Sequence, residues 1–239
     1  MGSNRPKVLF EVAGQPMVRW VVKACRDAGV SRCIVVVGYK GHTVRQAMSD
    51  LSECVFVEQL EQLGTGHAAQ MAEPLFENRR PCDIFILAGD GPLIRGQTLT
   101  RMLETHRATQ SAATLGTAKI DDPTGYGRII RDANGLFDCI VEQKDASPDQ
   151  LRIAEVNPSY YCFDGRQLFN ALREVESDNH QGEYYLTDVP ALIKAQGHRV
   201  SLVEVSNTDE VLSINTPQQL DQVDRILKSR LVVAKGSQT

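Results

Sequence analysis

The stretch Asp83–Ile94, DIFILAGDGPLI, decides the fold. Ile84 to Leu87 form the short, uninterrupted apolar run of a strand buried on both faces. The run emerges directly into Gly89, Asp90, Gly91 and Pro92, which puts Asp90 at the carboxyl end of a central strand, where open α/β sheets bind ligands. A carboxylate there can hold Mg2+ while phosphate oxygens fill the other coordination positions. The local alternative is a turn or helix-cap aspartate, but glycines on both sides point to close approach by a ligand.

Working outward from this strand, the same alternation repeats. Upstream, CIVVVG (33–38) precedes a helix through VRQAMSDL (44–51), and CVFVEQ (54–59) precedes a glycine turn and a helix through HAAQMAEPLF (67–76). Downstream, a helix through QTLTRMLETHRA (97–108) leads into a strand at AATLGTA (112–118). Consecutive strand and helix units predict an α/β chain with a doubly wound, mostly parallel Rossmann-like sheet. Beyond Pro123 the pattern changes. Asn134-Gly135 joins two alternating segments in GRIIRDANGLFDCIVE (127–142), the sequence of a tight hairpin. One further strand at VNPSYYCF (156–163), helices at 166–175 and 187–196, a strand at 199–205 and a closing helix from Pro217 complete the reading. With no repeat and no low-complexity linker, this is one domain, a nucleotide-binding half over 1–122 and a smaller antiparallel lobe over 123–239.

At the start, Gln15-Pro16 opens a helix that Gly29 closes, with Met17, Trp20, Val21, Ala24 and Ala28 at helical spacing. Such a helix is the crossover from a preceding parallel strand, yet the fifteen residues before it hold Pro6 and no period-2 run of strand length. The expectation is that a first strand is missing.

Composition excludes several classes. The 239 residues carry 26 basic and 30 acidic side chains, a net charge of −4 spread without blocks, so nothing marks a nucleic-acid or anionic-membrane surface. No apolar run approaches a membrane span and no signal-peptide core opens the chain. The six cysteines show no C-x-x-C pair and read as reduced core thiols of a cytoplasmic protein. Five scattered histidines make no i, i+4 zinc pair, and neither a G-x-S-x-G elbow nor a phosphate loop of the G-x-x-x-x-G-K-[ST] type is present. Small-molecule partners remain. Gly64-Thr65-Gly66, between strand and helix, can offer backbone N–H groups to a phosphate or base, or be a tight turn capped by Thr65. Asn215 can likewise be only an N-cap before Thr216-Pro217, and VEQKDA (141–146) only a solvated charge run.

Taken in order, RPKVLF, QLEQLGTGHA, LAGDGPLI, DDPTGYGRI, VEQKDA, EVNPS, GEYYLTD and SINTPQQL resemble the uridylyltransferase domain of the bacterial bifunctional N-acetylglucosamine-1-phosphate uridylyltransferase/glucosamine-1-phosphate acetyltransferase, from Pro6 to about Leu227. The resemblance implies that UTP and N-acetylglucosamine 1-phosphate give UDP-N-acetylglucosamine and pyrophosphate with Mg2+, a sugar-phosphate oxygen attacking the α-phosphorus in line. It implies that Asp90 and Asn215 hold the metal, and that Lys7 and Asp90 serve catalysis. Gln59, Gly64 and Thr65 match positions at the uracil. Gly127, Glu142, Asn157, Tyr185 and Thr187 match positions around the sugar and its phosphate.

The chain departs from that family in three ways. Asn157-Pro158-Ser159 stands where the family usually has N-T-G, which leaves the sugar open. The left-handed β-helix with acetyltransferase activity is absent. The strand and the L-A-A-G-x-G-T-R-M loop that precede P-K-V-L in the family are also absent, with Met1 in the place of the motif's methionine. The expectation is a chain that starts at an internal methionine and is nearly inactive without that loop. The alternative reading is a noncatalytic sugar-nucleotide-binding or regulatory subunit of the same fold. A glycosyltransferase of similar fold would carry a D-x-D motif, and Gly89-Asp90-Gly91 offers one carboxylate.

Overall fold

A computed structural model describes residues 5–76 and 81–236; the comparison of Met1-Gly2-Ser3 with a loop motif lies outside the described residues. The chain enters through a 3-10 turn at Lys7–Leu9 and a two-residue hairpin, β1 (Glu11–Val12) and β2 (Gln15–Pro16), whose turn residues Ala13 and Gly14 both have positive φ. Gln15 and Pro16 thus belong to the hairpin, and α1 runs Met17–Asp27 with Pro16 at its N-cap. Gly29, at φ +80, ends α1: its N–H reaches Arg26 O, and that of Val30 reaches Cys25 O, the two bonds of a Schellman motif.

There follow β3 (Cys33–Val37), α2 (Gly41–Ala47), β4 (Cys54–Glu58), α3 (Thr65–Gln70), β5 (Asp83–Leu87), α4 (Gly96–Ala108) and β6 (Ala113–Lys119). The helix expected over 67–76 stops at Gln70 and gives way to a 3-10 turn at Glu73–Leu75, because Pro74 cannot continue an α-helical ladder. The second half holds β7 (Gly127–Arg131), β8 (Phe137–Val141), α5 (Pro148–Leu151), β9 (Glu155–Asn157), β10 (Tyr160–Asp164), α6 (Gly165–Leu172), α7 (Val189–Ala195), β11 (Val200–Glu204) and α8 (Pro217–Gly236).

The α/β class and the antiparallel lobe are as the sequence predicts, the lobe continuing the main sheet through β6 and β9, and the pairing adds a correction. β10 lies between β5 and β6 and runs antiparallel to both, while β11 joins β6 in parallel. β5, β6 and β11 therefore point one way and β10 the other, so most pairs in this sheet are antiparallel although most of its α/β strands share a direction. The expected single strand at 156–163 is two, broken at Ser159, whose φ is +63: β9 pairs with β6 and β7 in the lobe, and β10 with the main sheet.

β10 is buried on both faces. Tyr161 and Phe163 pack with Leu168, Leu172, Val189 and Ile193 of α6 and α7, while Tyr160 packs with Val21, Leu99 and Met102 of α1 and α4. The parallel pair β3 and β4 forms a separate sheet over Val18, Val22, Val44 and Met48. β3 and β5 each keep one edge without a strand neighbour among the described residues. The residues of β5, expected fully buried, are accordingly only half-buried.

Candidate functional site

Three separated pieces of chain meet at the carboxyl end of β5. Gly89 has no Cβ, and one built there would stand 3.3 Å from Val8 Cγ1, so glycine lets the Lys7–Leu9 turn seat against the strand end. The turn delivers the Lys7 ammonium to Asp90, with Nζ 2.5 Å from Oδ2. From the far end of the sequence, Asn215 brings Oδ1 to 2.6 Å from the same nitrogen. Asn215 is free to do so because it does not cap α8. Thr216 does: its Oγ1 accepts from Gln219 N and its own N–H donates to Gln219 Oε1, the reciprocal pair of a capping box. Asp90, with a local alternative as a turn or cap residue, is instead half of an ion pair spanning 83 positions.

A second group forms beyond β4. Gly64 sits at φ +111, and a Cβ there would stand 2.6 Å from Tyr184 O; one on Gly66 would be 2.9 Å from the same oxygen. The glycine turn therefore lies against the backbone of GEYYLTD, where Gly66 N donates to Tyr184 O and Thr65 Oγ1 accepts from Leu186 N. Thr65 ties two loops together where a cap for its own helix was the local expectation. Gln59 Nε2 donates to Gly64 O at 3.1 Å and lies 3.0 Å from His67 Nδ1.

The third group belongs to the antiparallel lobe. Gly127 of β7 is the register partner of Asn157 on β9, and a Cβ on Gly127 would be 3.6 Å from both Glu142 carboxylate oxygens. Glu142 is no part of a solvated charge run. Burial pushes its carboxyl above the ordinary range, and a hydrogen bond with the Thr187 side chain partly opposes that shift. The Asn157 amide is largely committed internally, Nδ2 donating to Tyr161 Oη at 2.6 Å and Oδ1 accepting from Ser159 N. Tyr185 is buried, and its hydroxyl accepts from Gln181. Gly127, Glu142, Asn157 and Thr187 thus cluster, and the Tyr184–Leu186 segment joins them to the glycine turn. Among the described residues, neither group hydrogen-bonds to Lys7, Asp90 or Asn215.

Sequence reasoning missed three residues. His67 was passed over as a scattered histidine, although it stands inside the GTGH block. Gln143, beside Glu142, accepts from Gly125 N and holds the PTGYG turn in place. Gln181 lies outside every motif and carries no sequence signal for its bond to Tyr185.

The donor set at Lys7 suits a hard divalent cation. One carboxylate and one carboxamide oxygen converge on a single point, and no cluster of three or more His, Cys, Asp or Glu residues exists among the described residues. Mg2+ commonly takes only one or two protein oxygens and completes its shell with phosphate and water.

A family model of the MobA-like NTP transferase domain matches residues 1–196. The chain belongs to this family. It is a nucleotidyltransferase domain, and its resemblance to bacterial bifunctional enzymes extends along nearly the whole length. It is 46% identical to the Heliobacterium modesticaldum bifunctional protein GlmU and 42% identical to the proteins of that name from Streptococcus mutans and Geobacillus thermodenitrificans. Each match covers 97% of this chain and 50% of the relative, so the chain spans about half the length of the curated relatives it matches. Among the described residues, no helix of this NTP transferase domain is long and apolar enough to cross a membrane, and no disulfide joins its six cysteines.

Proposed function

We propose that this domain transfers a uridylyl group from UTP to N-acetylglucosamine 1-phosphate, forming UDP-N-acetylglucosamine and releasing pyrophosphate. The convergence of Lys7, Asp90 and Asn215 on one point carries the reading. A binding or regulatory subunit has no chemical need for a lysine, a carboxylate and an amide held together from positions 7, 90 and 215.

In this reading the half through residue 122 takes the nucleotide and the half from 123 takes the sugar. The uracil lies at Gln59, Gly64 and Thr65, where the Gln59 carboxamide oxygen and the Gly64 N–H can meet a base edge. The sugar lies over Gly127, which leaves the surface low in front of Glu142; the Glu142 carboxylate accepts from a sugar hydroxyl or the acetamido N–H, with Asn157, Tyr185 and Thr187 bracing that wall. A sugar-phosphate oxygen attacks the α-phosphorus, the bond to the bridging oxygen breaks, and pyrophosphate leaves with the electron pair. The residues need only position the two phosphates and neutralise charge, since no covalent intermediate is required. Lys7 supplies a compact positive charge that passes from Asp90 to the triphosphate. Asp90 and Asn215 would hold Mg2+, which when bound supplies charge stabilisation to the phosphoryl oxygens.

Asp90→Asn tests the reading. Mg2+-dependent pyrophosphate release should fall about 10²-fold or more, with the unfolding midpoint little changed, because an isosteric amide fills the place of the part-buried carboxylate and its oxygen can still accept from Lys7. Unchanged turnover would remove Asp90 from the site.

A further inference from the structure

Gln59 is held by an unusual pair of acceptors. Its carboxamide NH2 group has two hydrogens, and two atoms lie within reach of them: Gly64 O at 3.1 Å and His67 Nδ1 at 3.0 Å. Its other end, Oε1, accepts from no protein group among the described residues. Rotating the amide by 180° would place Oε1 against the Gly64 carbonyl oxygen, which can only accept, so the NH2 group faces inward and His67 meets it through Nδ1 in the tautomer that carries its proton on Nε2. The backbone oxygen alone could be relieved by a small side-chain shift. The imidazole cannot move as easily, because His67 is the third residue of α3, whose start is fixed by the Gly66 N to Tyr184 O bond and the Leu186 N to Thr65 Oγ1 bond.

We infer that His67 is a positioning residue: as a hydrogen-bond acceptor at Nδ1 it locks the Gln59 carboxamide with NH2 inward, so that an acceptor oxygen is what the nucleotide base meets. The inference rests on the proposed placement of the base at Gln59. An outward Oε1 selects a pyrimidine that carries a hydrogen on N3, as uracil does, over cytosine, whose N3 offers a lone pair at that position. The selectivity then lies with a residue that does not touch the base. Gln59 alone could present either end, and an unlocked amide would accommodate either pyrimidine by turning over.

The test uses the whole chain and three proteins: native, His67→Phe, which keeps a ring and removes the acceptor, and His67→Asn, whose Oδ1 can restore an acceptor near the Nδ1 position. Binding of UTP and CTP is measured by calorimetry, and KM and kcat with each where turnover is detectable. The native protein should prefer UTP. His67→Phe should lose about tenfold or more of that preference, through Kd and KM with kcat little altered, and His67→Asn should recover it in part. A general packing defect would instead weaken both nucleotides alike and leave their ratio unchanged. A second readout needs no nucleotide: the Gln59 side-chain NH2 protons should exchange slowly with solvent in the native protein and His67→Asn, and fast in His67→Phe. Full UTP preference in His67→Phe, or unchanged amide exchange, would overturn the inference and leave the proposed function standing. A native protein that binds neither nucleotide would remove the proposed function, and the inference with it.

Discussion

Glu142, set against the sugar in the proposed function, carries a cost for the fold. Its carboxyl has an ordinary value of 4.5 and is pushed upward mainly by burial, so between 4.5 and the raised value the folded chain holds more protons than the unfolded one. Stability contributed by this group therefore falls as pH rises through that window, and the full penalty stands above it. Glu142→Gln removes the titration while keeping the shape. The variant should gain stability relative to the native protein when both are moved from pH 4 to pH 8, measured by urea midpoints. The buried acids Asp188 and Glu210 are shifted in the same direction but are common to both proteins and cancel in the comparison. At pH 8 the same substitution should raise KM for the sugar phosphate about tenfold, the worth of one charge-assisted hydrogen bond.

At the scale of elements, the glycine turn before α3 is a place where sequence and structure allow one solution. Gly64 at φ +111 and ψ 177 occupies a region closed to side chains, and the missing Cβ is where Tyr184 O lies. Gly64→Ala should cost about 2–4 kcal/mol, seen as a lower denaturant midpoint at unchanged slope, and should separate the turn from the Tyr184–Leu186 segment. Signals of this kind were legible locally: Gly29 ending α1, the Asn134-Gly135 hairpin and the strand–helix alternation all depend on near neighbours in the chain. The insertion of β10 between β5 and β6 was not legible, because it depends on pairing Tyr160–Asp164 with Asp83–Leu87 from afar, and its cue, the turn at Ser159, looks like strand interior when read as VNPSYYCF. The site divides the same way. Asp90 was marked by its flanking glycines, whereas Asn215 read locally as a helix cap until the Thr216 and Gln219 side chains were seen to take that role.

For the molecule as a whole, α8 closes the structure over its beginning. Val223 and Leu227 pack with Val12, Met17 and Trp20, the Asp224 carboxylate accepts from Ala13 N, and Arg230 donates to Leu93 O. Burying two such aliphatic side chains is worth about 3–6 kcal/mol at 1.5–3 kcal/mol each, so a chain ending at Thr216 should lose stability on that scale. Trp20 is the single tryptophan, so its emission should shift to the red in the shortened chain even where far-ultraviolet dichroism is retained. Unchanged emission would show that α8 does not cover this cluster.

The bond from Lys7 to Asn215 spans 208 positions, nearly the entire polypeptide. During synthesis, Lys7 and Asp90 leave the ribosome long before their third partner, and β10 and β11, which complete the main sheet, are also late to emerge. The three side chains therefore cannot converge until synthesis has passed Asn215, and a nascent chain that stops short of that residue holds only the ion pair between Lys7 and Asp90.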